Sequence, residues 1–68
     1  MTISAQVKET VASLNGVQAT LETFVSVEEN PEAKDMLSRN SQKVAAVIKD
    51  MEKRLRVLEF EEPQYKGF

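Results

Sequence analysis

The chain has 68 residues, room for one domain, and a domain near that size buries only about 60% of its unfolded surface. With no cysteine and no histidine it cannot form a disulfide, an iron–sulfur cluster or a thiolate zinc site. It also lacks the commonest transition-metal ligand and the usual general base near neutral pH, so self-association is the reinforcement left to so small a scaffold. Nine basic and eleven acidic residues give a net charge of −2, a balance with no global attraction to nucleic acid or anionic lipid.

The opening MTISAQVKE lacks the basic region and apolar run of a secretory leader. No apolar run approaches the ~20 residues that span a bilayer, so the chain is expected to stay in the cytoplasm. From Ile3 onward the spacing predicts a helix over about residues 3–28, with Thr2 as its N-cap. Its apolar stripe reads Ile3, Val7, Thr10, Leu14, Val17, Leu21, Phe24, a heptad alternation with one polar member, Thr10. Asn15-Gly16 is a hairpin signal between strands, but here the flanks keep helical phase, so the helix is expected to run through Gly16 at a cost of about 1 kcal/mol relative to alanine. Gly16 has two readings: it allows close approach of a second backbone, or it is a tolerated weak point.

The break is EENPEAK, residues 28–34. Asn30 is placed to accept from an orphan amide as N-cap. Pro31 follows at the first helical position, where its missing N–H costs nothing. Glu32 and Asp35 lie in the first turn and Lys53, Arg54 and Arg56 toward the far end, as the helix macrodipole favours. A second helix is therefore predicted over about 31–61, with the stripe Leu37, Ser41, Val44, Ile48, Met51, Leu55, Leu58. A short connection makes the two helices antiparallel neighbours, each of roughly 25 residues and so about 37 Å long. The fold class is all-α: a single helical-hairpin domain with an extended tail over 62–68.

One hairpin needs one stripe per helix, and this chain has more. Val11 and Val25 flank the stripe of the first helix, and Met36 and Val47 that of the second. Sealing a single seam would leave these second rows in water, whereas a four-helix bundle covers a wider face. The expectation is a homodimer of hairpins with Val11, Val25, Met36 and Val47 in self-association; the alternative is a loose monomeric hairpin with exposed valines. Charge favours antiparallel packing of the two hairpins. The loop end carries Glu28, Glu29, Glu32 and Asp35, and the opposite end of the second helix carries Lys49, Lys53, Arg54 and Arg56. Acid-first i,i+4 pairs are available at Asp35–Arg39, Asp50–Arg54 and Glu52–Arg56.

The residues offer no catalytic site. Serines occur without a histidine, GxSxG is absent, and nothing brings Ser41 and Lys43 together in a pocket. Di-iron bundles need Glu-x-x-His, which is missing, and the two glycines are too far apart for a phosphate loop. No enzyme activity, metal or cofactor is therefore expected. Lys49, Lys53 and Arg56 share a helix face by i,i+4,i+7 spacing and could contact phosphates of a nucleic acid. The competing reading is a solvated outer face, since no aromatic side chains are interleaved with them for base stacking. The same patch could touch anionic headgroups as a peripheral membrane binder.

Pro63 should end the second helix by about Glu62. The tail beyond it carries Tyr65 and Phe68, close to Phe60. An aromatic side chain can bury about 150–250 Å², so the tail is expected to fold back along a groove between helices, of its own chain or a mate's. Phe60, Pro63, Tyr65, Gly67 and Phe68 are the tail-docking residues, with Gly67 permitting the bend. The alternative is a docking peptide for another protein.

The stretches SLNGVQATLETF (13–24) and EEPQYKGF (61–68) resemble a family of short proteins from spore-forming Firmicutes, a domain of unknown function numbered sixteen fifty-seven. The resemblance runs from the MTISAQVKETVASL opening to Phe68. It implies a sporulation or spore-membrane context, with a forespore or spore interior as the compartment and a spore membrane protein complex as a partner. It implies no activity, cofactor or catalytic residue. The residues and the resemblance together point to a non-enzymatic, self-associating helical protein acting by protein–protein contacts.

Overall fold

A computed structural model of the chain describes residues 2–61. Two helices, α1 (Ile3–Val27) and α2 (Pro31–Glu61), run antiparallel and pack along their length, joined by the three residues Glu28 to Asn30. The start of α1 is capped by Thr2, whose Oγ1 accepts from the Ala5 amide at 3.1 Å. The start of α2 is capped by Asn30, whose side-chain oxygen accepts from the amides of Glu32 (2.9 Å) and Ala33 (3.0 Å). Pro31 occupies the first helical position behind that cap, where no intrahelical N–H is required of it. Between the helices, the Glu28 amide donates to the Phe24 carbonyl at 2.9 Å and the Glu28 carboxylate accepts from the Asn30 amide at 3.0 Å. One acidic residue thus closes α1's end with its amide and holds the cap residue of α2 with its carboxylate.

The seam on α2 is the row the periodicity predicts. Ser41 and Ile48 are buried, and Leu37, Val44, Met51, Leu55 and Leu58 are half-buried. The seam on α1 is rotated from the predicted stripe. It runs through Ser4, Val7, Val11, Leu14, Gln18, Leu21 and Val25, while Ile3, Thr10, Val17 and Phe24 stand outside it. Val7, Leu14 and Leu21 belong to both stripes. The choice between them is made by the residues alternating with these three, and both alternatives contain apolar side chains. The structure puts Val11 and Val25 against α2, where short β-branched side chains let the helices close. The larger ring of Phe24 stays at the rim with 49% of its surface exposed.

Gly16 lies within unbroken helix, with no positive φ. A Cβ built on it would meet nothing within 4 Å among the described residues, so none of them approaches closely enough to need a glycine there. The hairpin is a rod of 50 × 16 × 12 Å. Its radius of gyration is 15.4 Å, against about 11 Å for a globular domain of this length. Among the described residues, Val11 and Ile48 are the only buried apolar side chains, and no large side chain is fully buried.

Candidate functional site

With no deep core, the surface features that could serve function are the two long sides of the seam and the outer face of α2. The rows flanking the seam identify the sides. Lys8 Nζ reaches Glu59 across the helices at 3.3 Å. Each stands one residue beyond a seam position, Val7 or Leu58, so the rows stepping by seven through them share one side. That side carries Lys8, Asn15 and Glu22 from α1 and Ser38, Ala45, Glu52 and Glu59 from α2. The rows left for the other side are Ile3, Thr10, Val17 and Phe24 from α1 and Asn40, Val47, Arg54 and Glu61 from α2. One side of the seam is polar and closed by an ion pair; the other is open and apolar on its α1 half.

Exposure agrees with this division. Ile3 (57%), Val17 (47%), Phe24 (49%) and Val47 (48%) all leave about half their surface in water. On the α1 side a shallow groove is lined by Ser13, Gly16, Val17, Thr20, Leu21 and Phe24. The threonines there do not present free hydroxyls. Thr10 Oγ1 donates to the Gln6 carbonyl and Thr20 Oγ1 to the Gly16 carbonyl, each at 3.0 Å. Both turn their hydroxyls onto their own helix.

The four residues expected to mediate self-association fall into two groups. Val11 is 8% exposed and Val25 is half-buried, both against α2, so the hairpin itself already covers them. This corrects their assignment to a second row; the uncovered row of α1 is the one through Val17 and Phe24, which the same periodicity had placed inside. Met36 (50%) and Val47 are exposed as a second row would be. Met36 lies by the start of α2 in a depression lined also by Asn30, Glu32, Ala33, Asp35 and Arg39. Asp35 and Arg39 pair there at 3.1 Å, and Asp50 and Arg54 pair at 3.0 Å, as their spacing predicts. Glu52 and Arg56 do not join these pairs among the described residues.

Lys49, Lys53 and Arg56 are exposed on the outer face of α2, away from the seam. Of the tail-docking residues, Phe60 is in the last turn of α2 with 85% of its surface exposed. Pro63, Tyr65, Gly67 and Phe68 lie outside the described residues. No helix among the described residues is long and apolar enough to cross a membrane.

Residues 7–55 match the family described as Protein of unknown function (DUF1657). The chain belongs to that family. The matched span of this DUF1657 chain holds most of the seam, the open groove and Lys49 and Lys53, and it stops short of Arg56 and Phe60. Comparison with curated proteins and with solved structures gives no match.

Proposed function

We propose that this DUF1657 protein acts without catalysis, as a helical unit that associates with a second copy of itself and works through protein–protein contacts. The observation that carries this reading is an apolar face that the hairpin leaves open. The uncovered row of α1 holds Ile3 (57% exposed), Val17 (47%) and Phe24 (49%), with Val47 (48%) of α2 beside it. Pairing hairpins into a four-helix bundle would cover this face. The experiment is sedimentation equilibrium at micromolar concentration: a species of twice 7.7 kDa is expected, and a stably folded single copy would overturn the proposal. The resemblance to proteins of spore formers suggests where the contacts are used, in sporulation or beside a spore membrane complex. A pull-down from sporulating cells tests that context.

A second reading rests on Lys49, Lys53 and Arg56, three exposed cations in none of the ion pairs among the described residues. Placed along one face of α2, they would serve contact with nucleic-acid phosphates. A gel shift that weakens steeply with salt supports this reading, and no shift at low salt removes it.

A further inference from the structure

We infer that the second copy docks on the open side of the seam, with α1 antiparallel to α1 of its mate and Val17 at the two-fold axis. This rests on the self-association proposed above and adds the face, the helix pairing and the register.

The face follows from comparing the two sides. The side closed by Lys8 and Glu59 would bury charges on association, and burying an ion pair costs desolvation that its attraction repays only in part. The open side would bury Val17, Phe24 and Val47, all about half exposed, and its charged member Arg54 lies toward the far end, already paired with Asp50 in solvent. Two of its polar members on α1 cost little, because the hydroxyls of Thr10 and Thr20 already donate to carbonyls of their own helix. A partner would meet their methyl groups without stranding a donor.

The pairing follows from charge and symmetry. The loop end is acidic, with Glu28, Glu29, Glu32 and Asp35 against Lys34, whereas in the far half of α2 Lys49, Lys53, Arg54 and Arg56 are offset by Asp50, Glu52, Glu59 and Glu61. Face-to-face hairpins that run parallel set acidic loop beside acidic loop; antiparallel hairpins set each acidic loop beside a near-neutral end. Exposed pairs are worth only about 0–1 kcal/mol each, so this term selects orientation while apolar burial drives assembly. In an antiparallel face-to-face dimer the two-fold axis lies between the layers, across the helices, so it stacks α1 on α1 and α2 on α2. A two-fold contact is isologous: if one residue touches another, the reciprocal contact exists. With Val17 on the axis, Phe24 stands seven residues to one side and meets Thr10 of the partner subunit, seven residues to the other. A large ring then lies over a small side chain, twice.

The absence of cysteine makes the test clean. Wild type, the double variant Val17→Glu/Phe24→Glu and the control Asn15→Glu on the closed side are compared by sedimentation, with circular dichroism to follow helix content. The double variant is expected to weaken the dimer roughly hundredfold or more, since each change enters the interface twice; the control should leave it intact. A monomeric wild type defeats self-association itself. A dimeric wild type whose double variant stays dimeric defeats only the face. Should the double variant unfold, single-cysteine variants decide. Under a mild oxidant Val17→Cys should form a disulfide-linked dimer and Asn15→Cys should not. Failure of Val17→Cys alone, with a mixed disulfide between a Val17→Cys chain and a Val47→Cys chain, establishes parallel hairpins and overturns the pairing. Loss of the dimer on deleting residues 62–68 makes the tail the occupant of the groove and overturns the proposal as well.

Discussion

The two helices bury themselves differently. On α2 the rows beside the seam are Asn40, Val47, Arg54 and Glu61 on one flank and Ser38, Ala45, Glu52 and Glu59 on the other. These are mostly polar or small, so the helix has one place to put its apolar face. On α1 one flank is Lys8, Asn15, Glu22 and the other Ile3, Thr10, Val17, Phe24. That helix is apolar over a wider arc and can satisfy two neighbours. The difference teaches that α1 gathers most of its spare apolar groups into one row beside the seam, whereas those of α2, Met36, Val47, Val57 and Phe60, are scattered over different rows. Substitutions along the two helices should therefore divide cleanly into those that melt the hairpin and those that leave it standing.

The sharpest division is between Ile48 and Phe24. Ile48 is 6% exposed at the middle of the seam, so Ile48→Ala should destabilise the hairpin by about 2 to 3 kcal/mol, through lost burial and the cavity left behind. A domain this small has little stability to lose. The variant should be largely unfolded at room temperature, read as lost helical ellipticity. Phe24→Ala removes a larger side chain yet should leave a dilute sample helical, because the ring is already half in water. If Phe24→Ala melts the monomeric hairpin as far as Ile48→Ala does, the division of faces on α1 is wrong.

The same contrast explains what could be read in advance. Both helices, the break at Asn30-Pro31 and the whole seam of α2 follow from local signals: a cap, a proline at the first turn, and a stripe with polar neighbours on either side. The face of α1 did not follow. Val7, Leu14 and Leu21 are shared by two stripes, and hydropathy favours the one holding Ile3, Val17 and Phe24 over the one holding Ser4 and Gln18. A monomer's burial is decided by which stripe packs closely on α2, and that depends on both helices at once. A usable signal was present in the flanking rows. The row opposite the apolar one carries Lys8 and Glu22, and Lys8 has its opposite charge at Glu59 when the helices are laid antiparallel. Pairing charged flanks across the loop fixes the rotation of α1 and turns Val11 inward.

Next in size is the cap of α2. Asn30 satisfies two amides at a junction where Pro31 can supply no donor of its own. Asn30→Ala should cost about 1 to 2 kcal/mol, lowering the melting temperature by several degrees in a domain of this size. Asn30→Asp or Asn30→Ser should recover most of that. Thermal melts of the three variants at one concentration check it. Equal melts for alanine and asparagine would mean that α2 is held by the seam alone, with the cap idle.

Gly16→Ala acts in the opposite direction. The site is helical, has no positive φ, and has open space where the methyl would go. Alanine should raise the stability of the hairpin by up to about 1 kcal/mol, by restricting the unfolded chain and improving helix propensity. The same variant sharpens the view of α1 as a two-sided helix. Gly16 lies in the groove beside Val17 and Phe24. A variant that melts higher when dilute but associates less well would place a second backbone over the glycine. A variant that gains on both counts would mark Gly16 as a weak point with no contact role.

The smallest effect belongs to the ion pair that marks the closed side. Lys8 is half exposed while Glu59 is mostly covered, so their contact is partly screened by solvent and should contribute about 0.5 kcal/mol. Lys8→Ala and Glu59→Ala should each lower the melting temperature slightly, and 1 M salt should erase the difference because screening then acts over about 3 Å. What the pair does is best shown by reversal. Lys8→Glu alone sets like charges across the seam, and Lys8→Glu with Glu59→Lys restores attraction. A double-mutant cycle on melting temperature, run dilute, should show the reversed pair recovering what the single change lost. Recovery ties these two flanks together in solution and so holds the apolar row of α1 on the other side. No coupling between them would free α1 to rotate, and Val11 and Val17 would then compete for the same seam.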